Sequence, residues 1–174
     1  MAGKLYFAYG SNINMEQMAY RCPDAQVVGP AFLPNYVLRF RGNNSGRGVA
    51  TIVRCQDTGV WGILWRVTPQ CELALDKYEG VPIVYSRQSV IVRDEAGNRH
   101  RVMTYAMTNE RTRRPMFPSW TYYDTIRRGY LQNGLPLRPL DQALARTRNE
   151  VREWGHRSHP GRPAKKKEGR SHER

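Results

Sequence analysis

The stretch Leu5-Tyr6-Phe7-Ala8-Tyr9-Gly10-Ser11-Asn12 decides the fold, because it joins a short apolar and aromatic run to a tight turn. The run over residues 5–9 predicts a buried strand, and the Gly, Ser and Asn that follow are residues that end strands. Asn14 is then placed to cap a helix over residues 15–20, which Pro23 prevents from continuing. A strand, a turn and the start of a helix therefore follow one another in close succession.

Most of the following hundred or so residues favour strands over helices. Pro30 and Pro34 indicate that residues 27–40 form edge strands or one bent strand, and the next residues, 41–48, read as a loop. Two hairpins are predicted beyond it. The first pairs residues 49–54 with 60–67 around a turn at 56–59, and the second pairs residues 84–93 with 101–107 around a turn at 94–98.

Helices are predicted at three further places. Thr68 and Pro69 open one that runs to Glu79, and Gly80 stands just past its end, where glycine is favoured. The other two cover residues 120–132 and 141–154. Since the strands pair mainly with their neighbours and the helices lie at the edges and the end, we expect an α+β fold. The specific prediction is a small mixed, mainly antiparallel β-barrel with peripheral helices.

Length and charge predict one domain followed by a basic tail. The 174 residues suit a single domain, assigned to residues 1–154, and the formal charge is +13. Residues 155–174 hold seven basic and two acidic residues and no apolar side chain beyond Ala164, so we expect this tail to be disordered. A solvated extension is the favoured interpretation. A nucleic-acid-binding arm is the alternative.

The sequence argues against several other classes. No signal peptide or apolar run of the ~20 residues that a membrane helix needs is apparent, which predicts a soluble, cytoplasmic protein without a membrane partner. The three cysteines are odd in number and far apart, which favours reduced thiols. Three of the four histidines lie in the tail, so no metal site is expected.

Three features could carry chemistry. The turn at Gly10, Ser11 and Asn12 can aim several backbone N–H groups at a carboxylate or an oxyanion, although most such turns only reverse the chain. Glu79 stands at a helix C-terminus, where the dipole disfavours its charge and raises its pKa, although an exposed helix end is the simpler explanation. Glu72 and Asp76 are expected to be solvated. Tyrosines suit polar pockets as well as cores, and five follow: Tyr85, Tyr105, Tyr122, Tyr123 and Tyr130.

Taken together, six collinear segments resemble the γ-glutamylcyclotransferase family. Residues 6–12 resemble its substrate loop, and residues 75–81 resemble the segment that holds its catalytic glutamate. The remaining matching segments are residues 49–52, 60–65, 105–109 and, together with Gly129, residues 133–137. The resemblance spans about residues 4 to 145 and excludes the tail.

The resemblance implies an enzyme that closes a γ-glutamyl amide onto its own α-amino group, releasing 5-oxoproline and a free amine. Glu79 would be the catalytic acid and base. The substrate would be held by Tyr9, Gly10, Ser11 and Asn12, with Tyr105 and Tyr122 lining the cavity and orienting Glu79 or the substrate. No cofactor, metal or covalent nucleophile is implied, and a homodimer is expected.

Other functions stay open on the sequence. The leaving group could be an amine such as ε-linked lysine, or the γ-glutamyl group could be released from a biosynthetic intermediate. Arginines within residues 41–48 hint at an acidic leaving group. The alternative from another class is a non-catalytic module whose basic tail binds nucleic acid.

Overall fold

A closed barrel of five strands forms the body of the protein in the computed structural model, which describes residues 3–109 and 113–158. The strands are β1 (Lys4–Ala8), β2 (Gln26–Gly42), β3 (Gly48–Val67), β4 (Tyr85–Asp94) and β5 (Arg99–Met107). The helices are α1 (Met15–Arg21), α2 (Pro69–Glu79), α3 (Trp120–Gln132) and α4 (Arg138–Ser158), with a short 3-10 helix at Ser11–Ile13.

The strand order around the barrel is β1-β3-β2-β4-β5. All neighbours pair antiparallel except β1 and β5, which run parallel and close the barrel through Tyr6 and Met103. Phe7 and the residue opposite it on β3, Leu64, share one face of the sheet, and both are almost fully buried in the core together with Val92 of β4. The predicted α+β class with a mixed, mainly antiparallel barrel is confirmed.

The first predicted hairpin is wrong. Residues 49–54 and 60–67 do not pair with each other but belong to one long strand, β3, which pairs with β2 from Gly42↔Gly48 to Gln26↔Arg66. The true turn lies at residues 43–47. The predicted turn at 56–59 is an irregularity within β3, where Asp57 has a positive φ and its N–H bonds Asn35 Oδ1 in the facing bulge of β2.

Caps fix where the helices begin and end. Asn14 Oδ1 accepts from the N–H groups of Glu16 and Gln17, and the Thr68 side chain accepts from Cys71 N. Gly80 follows α2 in the left-handed conformation (φ 66°), as expected for a glycine placed there. These caps and the glycine at the end of α2 were predicted from the sequence, because each depends only on neighbouring residues.

The last helix continues beyond its predicted end. α4 packs Leu140 and Ala143 into the core and extends to Ser158, four residues past Trp154. The boundary drawn between residues 154 and 155 therefore falls inside this helix, and residues 159–174 of the tail lie outside the described residues. The division into a domain and a disordered tail stays a prediction.

Two other features bear on the protein's class. Within the described residues, no helix is both long enough and apolar enough to span a membrane. Cys22, Cys55 and Cys71 are free thiols, as expected.

Gly129 lets α3 lie directly against the turn that follows β1. A Cβ built on Gly129 would stand 2.7 Å from Ile13 Cγ2, 2.8 Å from Asn14 N and 2.9 Å from the Ile13 carbonyl carbon. Two of these atoms are backbone, so a side chain here would push the helix and the turn apart.

We expect Gly129→Ala to lower the unfolding temperature. Overpacking typically costs about 1–3 kcal/mol, which exceeds the gain of up to ~1 kcal/mol from replacing Gly in a helix. Gly155→Ala is the matched control in α4, because its Cβ would meet nothing within 4 Å. Thermal unfolding by circular dichroism should show a loss for Gly129→Ala only; equal gains in both variants would contradict the packing argument.

Candidate active site

A cavity of about 320 Å³ opens where the turn after β1 meets the C-terminal end of α2. The residues to which the family resemblance assigns a role all line it, namely Tyr9, Gly10, Ser11, Asn12, Glu79, Tyr105 and Tyr122, whereas Tyr123 and Tyr130 are not among its lining residues. Among the described lining residues, Glu79 is the only one of the types Asp, Glu, His, Lys and Arg. The structure brings these residues together, whereas their roles stay predictions.

Asn12 connects the turn to Glu79. Its amide Nδ2 donates to Glu79 Oε1 at 3.2 Å and to the Tyr6 hydroxyl at 3.0 Å. Its backbone carbonyl accepts from Trp65 Nε1 at 3.1 Å, which anchors the turn to β3. The 3-10 helix thereby presents a buried amide group directly to the carboxylate.

Arg21 determines which way the Asn12 amide faces. Its guanidinium donates to Asn12 Oδ1 at 2.5 Å and to Ser11 Oγ at 3.0 Å. It also lies 3.4 Å from the centroid of the Tyr78 ring and donates to the Tyr78 hydroxyl. Since arginine can only donate, Asn12 must turn its oxygen toward Arg21 and its NH₂ toward Glu79. Arg21 was not predicted as a site residue, because nothing local marks a last-turn arginine as different from any other.

The surroundings of Glu79 favour its neutral form. Burial raises the pKa of the carboxyl to about 7 from an ordinary value of 4.5, and Arg21 and Asn12 oppose this rise only in part. A raised pKa was expected from the helix dipole, whereas desolvation is the main cause here. Glu79 Oε2 makes no hydrogen bond within the described part of the chain and remains available to a ligand.

Tyrosine hydroxyls surround the rest of the cavity. Tyr122 accepts from Ala50 N at 3.1 Å, which leaves its own hydroxyl hydrogen available, and Tyr85 donates to Ala50 O at 2.6 Å. Tyr9 donates to the Tyr105 carbonyl at 2.6 Å. Burial raises the pKa of Tyr9, Tyr85 and Tyr122 above the usual phenol value, so these groups stay neutral hydrogen-bonding partners.

The Tyr105 hydroxyl and the acidic residues of α2 belong to a hydrogen-bond network that holds this helix, and the role predicted for Tyr105 toward the substrate stays a prediction. The Tyr105 hydroxyl donates to Asp76 Oδ1 at 2.8 Å, and Arg87 bonds both Asp76 oxygens at 2.8 and 2.6 Å. Arg87 and Tyr105 lower the pKa of Asp76 through these bonds, although its partial burial opposes them. Glu72 is only 5% exposed and pairs with Arg87 at 2.9 Å and Lys4 at 3.2 Å.

The expectation that Glu72 and Asp76 are both solvated is therefore wrong for Glu72, whereas Asp76 keeps 26% of its side chain exposed while it is paired with Arg87. Their partners lie on β1, β4 and β5, far away in sequence, so no local pattern could reveal them. This network clamps α2 onto the barrel and so fixes the position of Glu79 at its end.

The loop between β2 and β3 contributes neutral groups to the cavity. Asn43 and Ser45 line it, and none of the arginines of residues 41–48 does. Arg41 instead bonds Glu150 on α4 at 2.6 Å. The arginines therefore give no support to an acidic leaving group.

The barrel carries one buried carboxyl group with a raised pKa in a polar cavity, an arrangement typical of an enzyme. Comparison with known proteins identifies the class of enzyme. Residues 6–124 match the family model described as gamma-glutamyl cyclotransferase, AIG2-like. The chain is 36% identical over 141 residues to the gamma-glutamylcyclotransferases of Bos taurus and Homo sapiens, covering 76% of this chain and 73% of each relative. A solved structure named gamma-glutamyl cyclotransferase superposes with a TM-score of 0.72 at 31% identity, covering 81% of this chain and 86% of its own.

The chain belongs to the gamma-glutamyl cyclotransferase, AIG2-like family. The predicted family, its enzyme class and its cyclotransferase function are thereby confirmed. The barrel is also shared with a yeast enzyme named as a γ-glutamyl cyclotransferase specific to glutathione, at 13% identity and a TM-score of 0.60, a likeness of fold alone.

The raised pKa of Glu79 has a consequence for stability. The folded state binds this proton more tightly than the unfolded chain, so Glu79 lowers the stability of the parent as pH rises from about 4.5 to about 7. Glu79→Gln removes this pH-dependent loss of stability. The glutamine still has a side-chain oxygen that can accept the hydrogen bond from Asn12. Its unfolding temperature relative to the parent should therefore increase across this window and then level off.

Differential scanning fluorimetry at pH 5 and pH 8 measures this change. Glu153→Gln, an exposed substitution on α4, should show the same small difference from the parent at both pH values. A pH-independent effect of Glu79→Gln would mean that the carboxyl is not perturbed by burial.

Proposed function

We propose that this protein converts a γ-glutamyl amino acid or peptide into 5-oxoproline and a free amine, with Glu79 moving the proton. The observation that carries the proposal is a buried carboxyl of pKa about 7 in a cavity of otherwise neutral polar groups. A group with that pKa is present in both protonation states near neutral pH, as a catalyst that must accept and then donate a proton requires.

The substrate is held by the turn after β1. The hydrogen bonds of the 3-10 helix run from Ile13 N to Gly10 O and from Asn14 N to Ser11 O. They leave the N–H groups of Gly10, Ser11 and Asn12 at its start free of that ladder. We assign these groups to the α-carboxylate of the substrate or to the developing oxyanion, with the Tyr122 hydroxyl as a further donor.

Proton transfer in this reaction is assigned to Glu79. The substrate's α-ammonium gives a proton to Glu79, and the resulting amine attacks the γ-carbonyl carbon to form the five-membered ring. Glu79 then gives the proton to the departing nitrogen as the γ C–N bond breaks. The attacking nitrogen releases its second proton to the regenerated Glu79 carboxylate, which leaves the single N–H of the lactam. Because both reacting groups belong to one molecule, a curled substrate pose supplies much of the orientation.

The leaving group extends toward Asn43 and Ser45. These neutral side chains impose no charge preference, so the structure is compatible with a γ-glutamyl amino acid, a γ-glutamylamine or a larger γ-glutamyl intermediate. The alternative of a non-catalytic module is less favoured, because a binding role alone does not require a desolvated acid at the centre of the cavity.

Glu79→Gln should lower turnover by at least ~100-fold, within the usual contribution of a general acid–base group. Gln keeps the size and the hydrogen bond to Asn12 but cannot carry the proton. The assay follows 5-oxoproline by mass spectrometry with γ-glutamyl dipeptides, γ-glutamyl-ε-lysine and glutathione, and the substrate used fastest names the leaving-group class.

Glu153→Gln serves again as the control and should retain full activity. A folded Glu79→Gln protein with near-normal turnover would refute the role assigned to Glu79. Absence of 5-oxoproline from every substrate with the parent protein would instead count against the proposed substrates.

A further inference from the structure

A second concave surface lies on the outside of the barrel, away from the cyclotransferase cavity. It is a groove of about 370 Å³ between the β2–β3 pair and the β4–β5 hairpin, and it shares no lining residue with the cavity around Glu79. Its described lining residues include four arginines, namely Arg54, Arg93, Arg99 and Arg101, and none of them is acidic.

Three of these arginines lie side by side on one face of the hairpin. Arg93 of β4 stands directly opposite Arg99 of β5, and Arg101 comes two residues later on the same face. Directly opposed side chains have Cβ atoms about 5 Å apart, and like charges in such pairs destabilise a sheet. All three are exposed, so nothing about folding requires this arrangement.

The neighbouring carboxylates do not neutralise the cluster. Within the described residues, none of the four arginines forms a salt bridge. Asp94, the nearest acidic residue along β4, bonds His100 at 2.7 Å and Asn98 at 3.1 Å instead. Among the described residues, therefore, no carboxylate forms an ion pair with the arginines of the groove.

Arg54 and the apolar wall add a second kind of contact. The guanidinium of Arg54 lies 5.3 Å from the centroid of the Tyr36 ring, an arrangement that holds it at the edge of the groove. Beside Arg54 the groove has an apolar wall on which a flat ring can rest. This wall is formed by Pro34, Tyr36 and Ile91.

We propose that this groove binds the phosphate groups of a nucleotide, with the base against the wall formed by Pro34, Tyr36 and Ile91. Guanidinium forks match phosphate oxygens in bidentate fashion, and a cluster of four arginines suits a ligand with more than one negative charge. The volume is of the size that ligand sites usually have. The nucleotide could be a free nucleoside polyphosphate or part of a single strand of nucleic acid. Proteins that bind single strands combine a positively charged groove for the backbone with side chains on which the bases stack.

This site does not depend on the cyclotransferase reaction, because none of its residues touches the catalytic cavity. Arg99 and Arg101 can be replaced without altering Glu79 or its partners. Their replacement also removes repulsion, so the folded state should be at least as stable as the parent.

The test compares the full-length parent with Arg99→Gln/Arg101→Gln and with a control, Arg148→Gln/Arg152→Gln. The control removes the same charge from exposed arginines of α4, and both variants keep the basic residues after position 158. The probes are ATP, followed by calorimetry, and a fluorescein-labelled single-stranded oligonucleotide, followed by anisotropy at several salt concentrations.

We expect the groove variant to bind at least one probe ~10-fold or more weakly than the parent, while the control binds as the parent does. If the oligonucleotide is the ligand, the groove variant should also lose about two units of the salt slope. The groove variant should form 5-oxoproline at the same rate as the parent. Its unfolding temperature should be the same as that of the parent or higher.

The two probes separate the sources. If the groove variant binds only ATP more weakly, the ligand is a free nucleotide. If it binds the oligonucleotide more weakly, the ligand is a single strand. Equal weakening in both double variants would show attraction to bulk charge and would overturn the proposal, as would a parent that binds neither probe near physiological salt.

Discussion

The contact between the Asn12 amide and the Glu79 carboxylate is the constraint on which the site depends. Asn12 belongs to the turn after β1 and Glu79 to the end of α2, so this one hydrogen bond joins two elements that are 67 residues apart in sequence. Arg21 orients the amide from behind, and Tyr6 accepts its second hydrogen. The carboxylate thus meets a donor of fixed direction while burial raises its pKa.

The rest of the fold can be understood as support for that contact. Trp65 anchors the turn from β3, and Gly129 allows α3 to press against it without a side chain between. On the other side, Arg87 binds Glu72 and Asp76 and holds α2 on the barrel. Two rigid elements are therefore fixed separately, and a desolvated acid remains where they meet, as positioned acid–base catalysis requires.

The sequence predicted what depends on neighbouring residues. Caps at Asn14 and Thr68, the left-handed Gly80 and the second hairpin all follow from short-range rules, and the collinear segments indicated the family. The β2–β3 pairing could not be found this way, because the Gln-Asp-Thr-Gly sequence at residues 56–59 has the composition of a turn but forms a bulge. Which of two candidate turns reverses the chain is decided by pairing over the whole length of both strands.

The candidate site shows the same division. Glu79 and the turn at residues 10–12 were found from the sequence, and the structure places them in one cavity. Arg21, Glu72 and Arg87 were missed or misjudged because their importance lies in long-range partners. The raised pKa of Glu79 was expected in direction, although desolvation, which the sequence cannot display, is the main cause.

The most direct test of this account is the pH dependence of kcat/KM for 5-oxoproline formation in the parent and in Arg21→Met. If Glu79 must be ionised to accept the first proton, the parent should lose activity as pH falls through about 7. Removing Arg21 removes a cation that favours the carboxylate, so the fall should move to higher pH in the variant. A parent profile that is flat through pH 7, or an acid limb that Arg21→Met leaves in place, would contradict the account.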